Sequence, residues 1–141
     1  MRVMAMIKAT PESERGELPS QELLEDMTAF NEELVKSGVL LAGDGLRPSS
    51  DGVRVNWQDD GITVTDGPFT ETKELVAGYW IWDVRSMEEA VEWARRIPNT
   101  DGVHGQVELR PVFEPEDFGE AMTPDIKERE EDMRRRIQEG G

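Results

Sequence analysis

Asp66-Gly67-Pro68-Phe69-Thr70-Glu71-Thr72-Lys73-Glu74-Leu75-Val76-Ala77-Gly78-Tyr79-Trp80-Ile81-Trp82 is the stretch that decides the fold. Its second half, continued by Val84, alternates with the period of a β-strand. Tyr79 and Ile81 point to one face; Trp80, Trp82 and Val84 point to the other. Neither face is polar, so the strand is expected to be covered on both sides. The first half is a rigid turn running into a charged segment. Pro68 fixes φ and Gly67 permits a tight bend, which holds Asp66 and Phe69 in set directions.

Working upstream, residues 2–8 repeat the pattern, with Val3, Ala5 and Ile7 against Met4 and Met6. A polar loop with two prolines follows at 10–19. Ser20 is placed to cap a helix whose apolar face carries Leu23, Met27, Phe30 and Leu34, widened by Leu24 and Val35. Gly38 supplies its left-handed terminus. Val39-Leu40-Leu41-Ala42 reads as a short buried strand, and residues 43–50 read as a Gly/Pro/Ser loop. Val53, Val55 and Trp57 then alternate with Arg54 and Asn56. Asp59-Asp60-Gly61 is a hairpin turn, and Ile62 and Val64 return to Asp66.

Downstream, Ser86-Met87-Glu88-Glu89 has the form of a capping box. Met87, Ala90, Val91, Ala94 and Ile97 make the stripe of a second helix, which Pro98 ends. Val107 and Leu109 belong to a last strand closed by Pro111. An acidic loop covers 114–122. Thr123-Pro124 then opens a third helix, apolar only at Ile126, Met133 and Ile137. Its charged run is expected to form Glu130–Arg134, Glu131–Arg135 and Asp132–Arg136 pairs at i,i+4.

Strand, helix, short strand, hairpin, strand, helix, strand is the order of an α+β, ferredoxin-like split-βαβ domain. Both helices are expected on one face of an antiparallel sheet. The other face holds Met4 and Met6 with either Tyr79 and Ile81 or Trp80 and Trp82, too apolar to leave in water. A second copy, sheet against sheet in a two-fold homodimer, covers it most simply. The alternative cover is the thinly apolar third helix. The expected division is 1–113 for the domain and 114–141 for the acidic loop and C-terminal helix.

The 141 residues carry 31 acidic against 16 basic side chains, a net charge of −15. That balance argues against nucleic acid as a partner, since phosphate recognition needs a basic face. No apolar run is long enough to span a membrane, and residues 1–8 read as a strand of a cytoplasmic protein. There are no cysteines, so thiolate metal sites and Cys nucleophiles are excluded. No calcium-loop spacing, phosphate loop or Rossmann fingerprint occurs. No metal or cofactor is expected; His104 alone is a weak haem ligand.

Asp66-Gly67-Pro68-Phe69-Thr70-Glu71-Thr72-Lys73-Glu74 with Gly78-Tyr79-Trp80 resembles the signature of the DGPF proteins of the YCII-related family. Met1-Arg2-Val3-Met4, Gly38 to Leu46, Glu88-Glu89-Ala90 and Glu108 to Val112 extend the likeness over residues 1–113. Residues 114–141 resemble the C-terminal extension of one subgroup. The resemblance implies a dimeric α+β barrel of ferredoxin-like subunits and an enzymatic role in a polar cleft. Related YciI proteins have a proposed catalytic His/Asp pair, to which His104 does not correspond.

Eight residues are candidates for chemistry. Asp66 either caps the turn 67–70 or serves as a catalytic carboxylate. Glu71, Lys73 and Glu74 either form a solvated charged loop, or one carboxylate acts as general base while Lys73 steadies an oxyanion. Asp44, flanked by Gly43 and Gly45, and Arg47 either serve the chemistry of the turn or bind substrate, Arg47 by clamping a carboxylate. Phe69 would line the same pocket. Tyr79 is either a core aromatic or presents its hydroxyl there. Asp44, Arg47, Asp66 and Lys73 are expected to converge. The function expected is cofactor-independent acid/base chemistry (isomerisation, dehydration or elimination) on a small molecule, or a non-catalytic binding or protein-interaction module.

Overall fold

The computed structural model describes residues 1–140. The chain divides into two compact units, Met1–Pro111 and Val112–Gly141. The first contains β1 (Arg2–Lys8), α1 (Pro11–Glu14), α2 (Gln21–Lys36), β2 (Leu40–Gly45), β3 (Val53–Gln58), β4 (Gly61–Asp66), β5 (Val76–Asp83), α3 (Met87–Arg95) and β6 (Val107–Pro111). Four strands form an antiparallel sheet in the order β2-β5-β1-β6, and β3 and β4 form a separate two-stranded sheet. This is an α+β fold. With the hairpin set aside, β1-α2-β2 and β5-α3-β6 interlock as two split βαβ units.

The register explains the core. Val3 lies opposite Trp82 and Ala5 opposite Trp80. All four are buried with Phe30 and Leu34 of α2 and Ala90 of α3. The Trp rings stack on each other with centroids 5.6 Å apart, and Phe30 meets Trp80 edge-on at 5.8 Å. Trp80 Nε1 donates to Asn31 Oδ1 at 2.9 Å. Trp82 Nε1 is buried with no partner, an omission worth about 1–3 kcal/mol. The larger indoles therefore face the helices. Met4, Met6, Tyr79 and Ile81 occupy the opposite face of the sheet.

Several local expectations are corrected. Residues 43–45 continue β2 instead of opening a loop, because Gly43 and Asp44 pair with Trp80 and Tyr79. The strand comes close enough that a Cβ on Gly43 would lie 2.8 Å from Trp80 Cδ1. The polar loop 10–19 holds α1, capped reciprocally by Thr10 and Ser13. Leu24 and Val35 are exposed and do not widen the α2 core face. Ser86 caps α3 through the Glu89 amide, but Glu89 Oε1 accepts from Arg85 N, one residue before the cap. The Ser20 cap and the left-handed Gly38 are present.

The second unit contains a 3₁₀ segment at Pro115–Ala121 and α4 (Pro124–Gly140). Phe113 and Phe118 stack with centroids 4.8 Å apart. Asp132 pairs with Arg136 at 3.0 Å and also with Arg135 at 3.2 Å, drawing Arg135 away from Glu131.

Leu34 is fully buried, so Leu34→Ala is expected to destabilise the fold by about 2–5 kcal/mol. Leu24→Ala, on the exposed side of the same helix, should stay within about 0.5 kcal/mol. Urea denaturation of both variants measures the contrast.

Candidate functional site

The turn quoted at the outset is a strut. Gly67 N donates to Gly52 O at 2.9 Å, and Phe69 N donates to Ser49 Oγ at 3.0 Å. Ser49 is itself fixed by Glu14 of α1, which accepts from both its amide and its hydroxyl. A Cβ on Gly67 would sit 1.7 Å from Ser49 O, so only glycine permits this approach. The Gly67–Pro68 peptide is cis. Arg54 lays its guanidinium over the Phe69 ring at 3.8 Å. Asp66 does not cap the turn. It ends β4 opposite Val53 and is exposed.

Beyond the strut the chain forms a short 3₁₀ turn, Thr72–Glu74, with Glu74 N donating to Glu71 O at 2.9 Å. Three residues per turn eclipse positions i and i+3, which brings the carboxyls of Glu71 and Glu74 together. Their side chains share a hydrogen bond. That bond raises the Glu74 pKa above its ordinary value, followed by the charge of Glu71 and by partial desolvation. Lys8 and Arg54 pull the other way.

These two carboxyls stand on one wall of a cleft of about 800 Å³, within the range of small-molecule sites. The other walls are the end of β1 and the loop before β6. Main-chain bonds tie the walls together: Ala9 N to Leu75 O and Lys8 N to Gln106 O, both 2.9 Å. Lys8, Thr10, Lys73, His104 and Gln106 are among the other polar residues of the lining. Lys8 Nζ lies 3.3 Å from Glu108 Oε1. Lys8 and then Arg110 hold the Glu108 carboxyl below its usual range.

Of the eight candidate residues, Glu71, Lys73 and Glu74 line this cleft, and Asp44, Arg47, Asp66, Phe69 and Tyr79 lie outside its lining. Tyr79 Oη donates to Asp44 Oδ2 at 3.1 Å. That bond, then the Asp44 charge and partial desolvation, raises the Tyr79 pKa. Sequence reading missed Lys8, Thr10 and Gln106 and left His104 outside any site. The signal was topological: a split βαβ order pairs β1 with β6, which sets residues 8–10 beside 104–106. Among the described residues no group of three or more His, Cys, Asp and Glu is placed to hold a metal ion.

The YCII-related domain matches residues 1–116. The chain belongs to that family. It is 30% identical over 92 residues to an uncharacterised protein of Rhizobium meliloti, covering 65% of this chain and 74% of that protein. It is also similar to the structure of 5-chloro-2-hydroxyhydroquinone dehydrochlorinase from Burkholderia phenoliruptrix, at 16% identity and a TM-score of 0.47. That likeness covers 80% of this chain and 94% of the other, and it is too distant to carry that enzyme's reaction over. Among the described residues of this YCII-related protein no helix is long and apolar enough to cross a membrane.

Glu71→Gln removes the like charge and offers Glu74 an amide donor. The Glu74 pKa is expected to fall toward 4.5, its unperturbed value. Carbon-detected NMR titration of the glutamate carboxyls measures it; an unmoved Glu74 would show that Glu71 is not the cause.

Proposed function

We propose that the cleft binds a small molecule bearing an acidic group and that the Glu71–Glu74 pair moves a proton on it. One observation carries this reading: two carboxyls sharing a hydrogen bond on the wall of a cleft that also presents two lysines. A carboxyl whose pKa is raised above its ordinary value holds its proton more readily, which suits a group that gives and takes one. Glu74 is the proton-transfer group and Glu71 its tuner. Lys73 steadies the negative charge that develops when the proton leaves. Lys8 is half-committed to Glu108 and acts on the pair through its charge. The reaction class that fits is an isomerisation, dehydration or elimination needing no cofactor. The non-catalytic alternative is the same cleft binding the same class of molecule without turnover.

A ligand-observed NMR screen of small organic acids tests this. Lys73→Ala should weaken a hit about ten-fold, close to 1.4 kcal/mol. Glu74→Gln should leave binding nearly intact while lowering any turnover roughly 10²- to 10⁴-fold. Binding that ignores Lys73 removes the reading; binding with no turnover under any condition leaves the binding module.

The finer architecture belongs to the same proposal. Two copies meet through the sheet face carrying Met4, Met6, Tyr79 and Ile81, closing a dimeric barrel. The support is the apolar character of that face, opposite the one that holds α2 and α3. Ile81→Glu should halve the sedimenting mass if this contact forms, and an unchanged mass would dismiss it.

A further inference from the structure

The β3–β4 hairpin has two unlike faces. On one, Asn56 Nδ2 reaches Thr63 Oγ1 at 3.3 Å and Thr65 Oγ1 at 3.1 Å, a polar surface with its own bonds. On the other, Val55 lies opposite Val64 and Trp57 opposite Ile62, with Val53 beside them. Trp57 is 80% exposed, and the other four are between 47% and 65% exposed. Together they show roughly 500 Å² of contiguous apolar surface, near the upper limit for a soluble monomer. The only charge on that face is Asp66, at its base opposite Val53.

A two-stranded hairpin is at best marginally stable alone in water. This one is fixed at its base by the Gly67–Gly52 bond, the Ser49–Phe69 bond and the Arg54–Phe69 stack. Its apolar face is therefore presented in a set direction. We propose that this face docks on the same face of a second copy, hairpin against hairpin about a two-fold axis.

Three considerations select that occupant. Two such patches hide roughly 1,000 Å² between them, the level at which specific interfaces begin. A face without cationic groups gives an acidic partner nothing to pair with, whereas its own copy is complementary in being apolar everywhere but at Asp66 on its base. The hairpin's one cation, Arg54, is stacked on Phe69, so an anionic lipid surface finds no basic cluster there to bind. This contact is separate from the proposed sheet-face dimer and from the cleft, and it stands or falls without them.

The absence of cysteine from the chain makes a clean test available. Val53→Cys, Val55→Cys, Ile62→Cys and Val64→Cys are each made singly in the full chain and treated with a short bis-maleimide. Thr63→Cys, on the polar face, serves as control. At least one of the four should give a covalent dimer at ten or more times the control rate. Trp57→Ser with Ile62→Ser should suppress crosslinking through Val55→Cys about ten-fold while leaving the far-ultraviolet circular dichroism spectrum unchanged. Crosslinking no faster than the control at all four positions overturns the proposal. So does crosslinking that persists in the Trp57→Ser, Ile62→Ser background.

Discussion

Ala5 and Val3 are small where Trp80 and Trp82 are large. Those cross-strand pairs set the register of β1 on β5, and the rest of the first unit follows. A slip of one residue would turn Met4 and Met6 toward the helices and send Val3 and Ala5 to the other face. The indoles fill the space that two small side chains leave, and Phe30 and Leu34 close over them. Because β1 is also paired with β6, the same register fixes where Lys8 emerges. One packing choice in the core thus places a lysine at the wall of a cleft.

The cleft depends on a second constraint, the contact of Gly67 with Ser49. No other residue type fits at Gly67, and the Ser49 hydroxyl that accepts from Phe69 is itself held by Glu14. The hairpin, the short helix α1 and the segment leading to Glu71 are joined at this point. The conspicuous motif positions the segment that carries Glu71 and Glu74 and itself stays outside the lining of the cleft. Asp66, the residue whose acidity draws attention, ends β4 opposite Val53 and lies outside the lining of the cleft.

What was legible in the sequence follows from which forces are local. Strand alternation at 77–84, the Ser20 cap and Gly38 are nearest-neighbour effects, so pattern alone located them. The α+β order followed from the sequence of elements. The extension of β2 through Gly43-Asp44-Gly45 was not legible, because Gly43, which reads as loop, is there to admit Trp80. The expected convergence of Asp44, Arg47, Asp66 and Lys73 assumed that loops near one sheet share one mouth. Asp44 instead sits within a strand, opposite Tyr79. Lys8 and His104 are 96 residues apart, and only the β1–β6 pairing brings their segments together.

The Glu71–Glu74 pair is harder to explain by folding alone. A 3₁₀ turn that eclipses two carboxyls incurs like-charge repulsion that a single amide in place of either would relieve. Nothing in the turn requires both acids: the backbone bond from Glu74 to Glu71 is indifferent to side-chain charge. Lys8 could neutralise the pair fully, yet Glu108 engages it at 3.3 Å, and Arg54 is turned onto Phe69. The nearby cations are partly occupied elsewhere, and Glu74 keeps its raised pKa despite them. The proposed proton transfer rests on this crowding of two carboxyls at the wall of a cleft, an arrangement that the backbone of the turn does not itself demand.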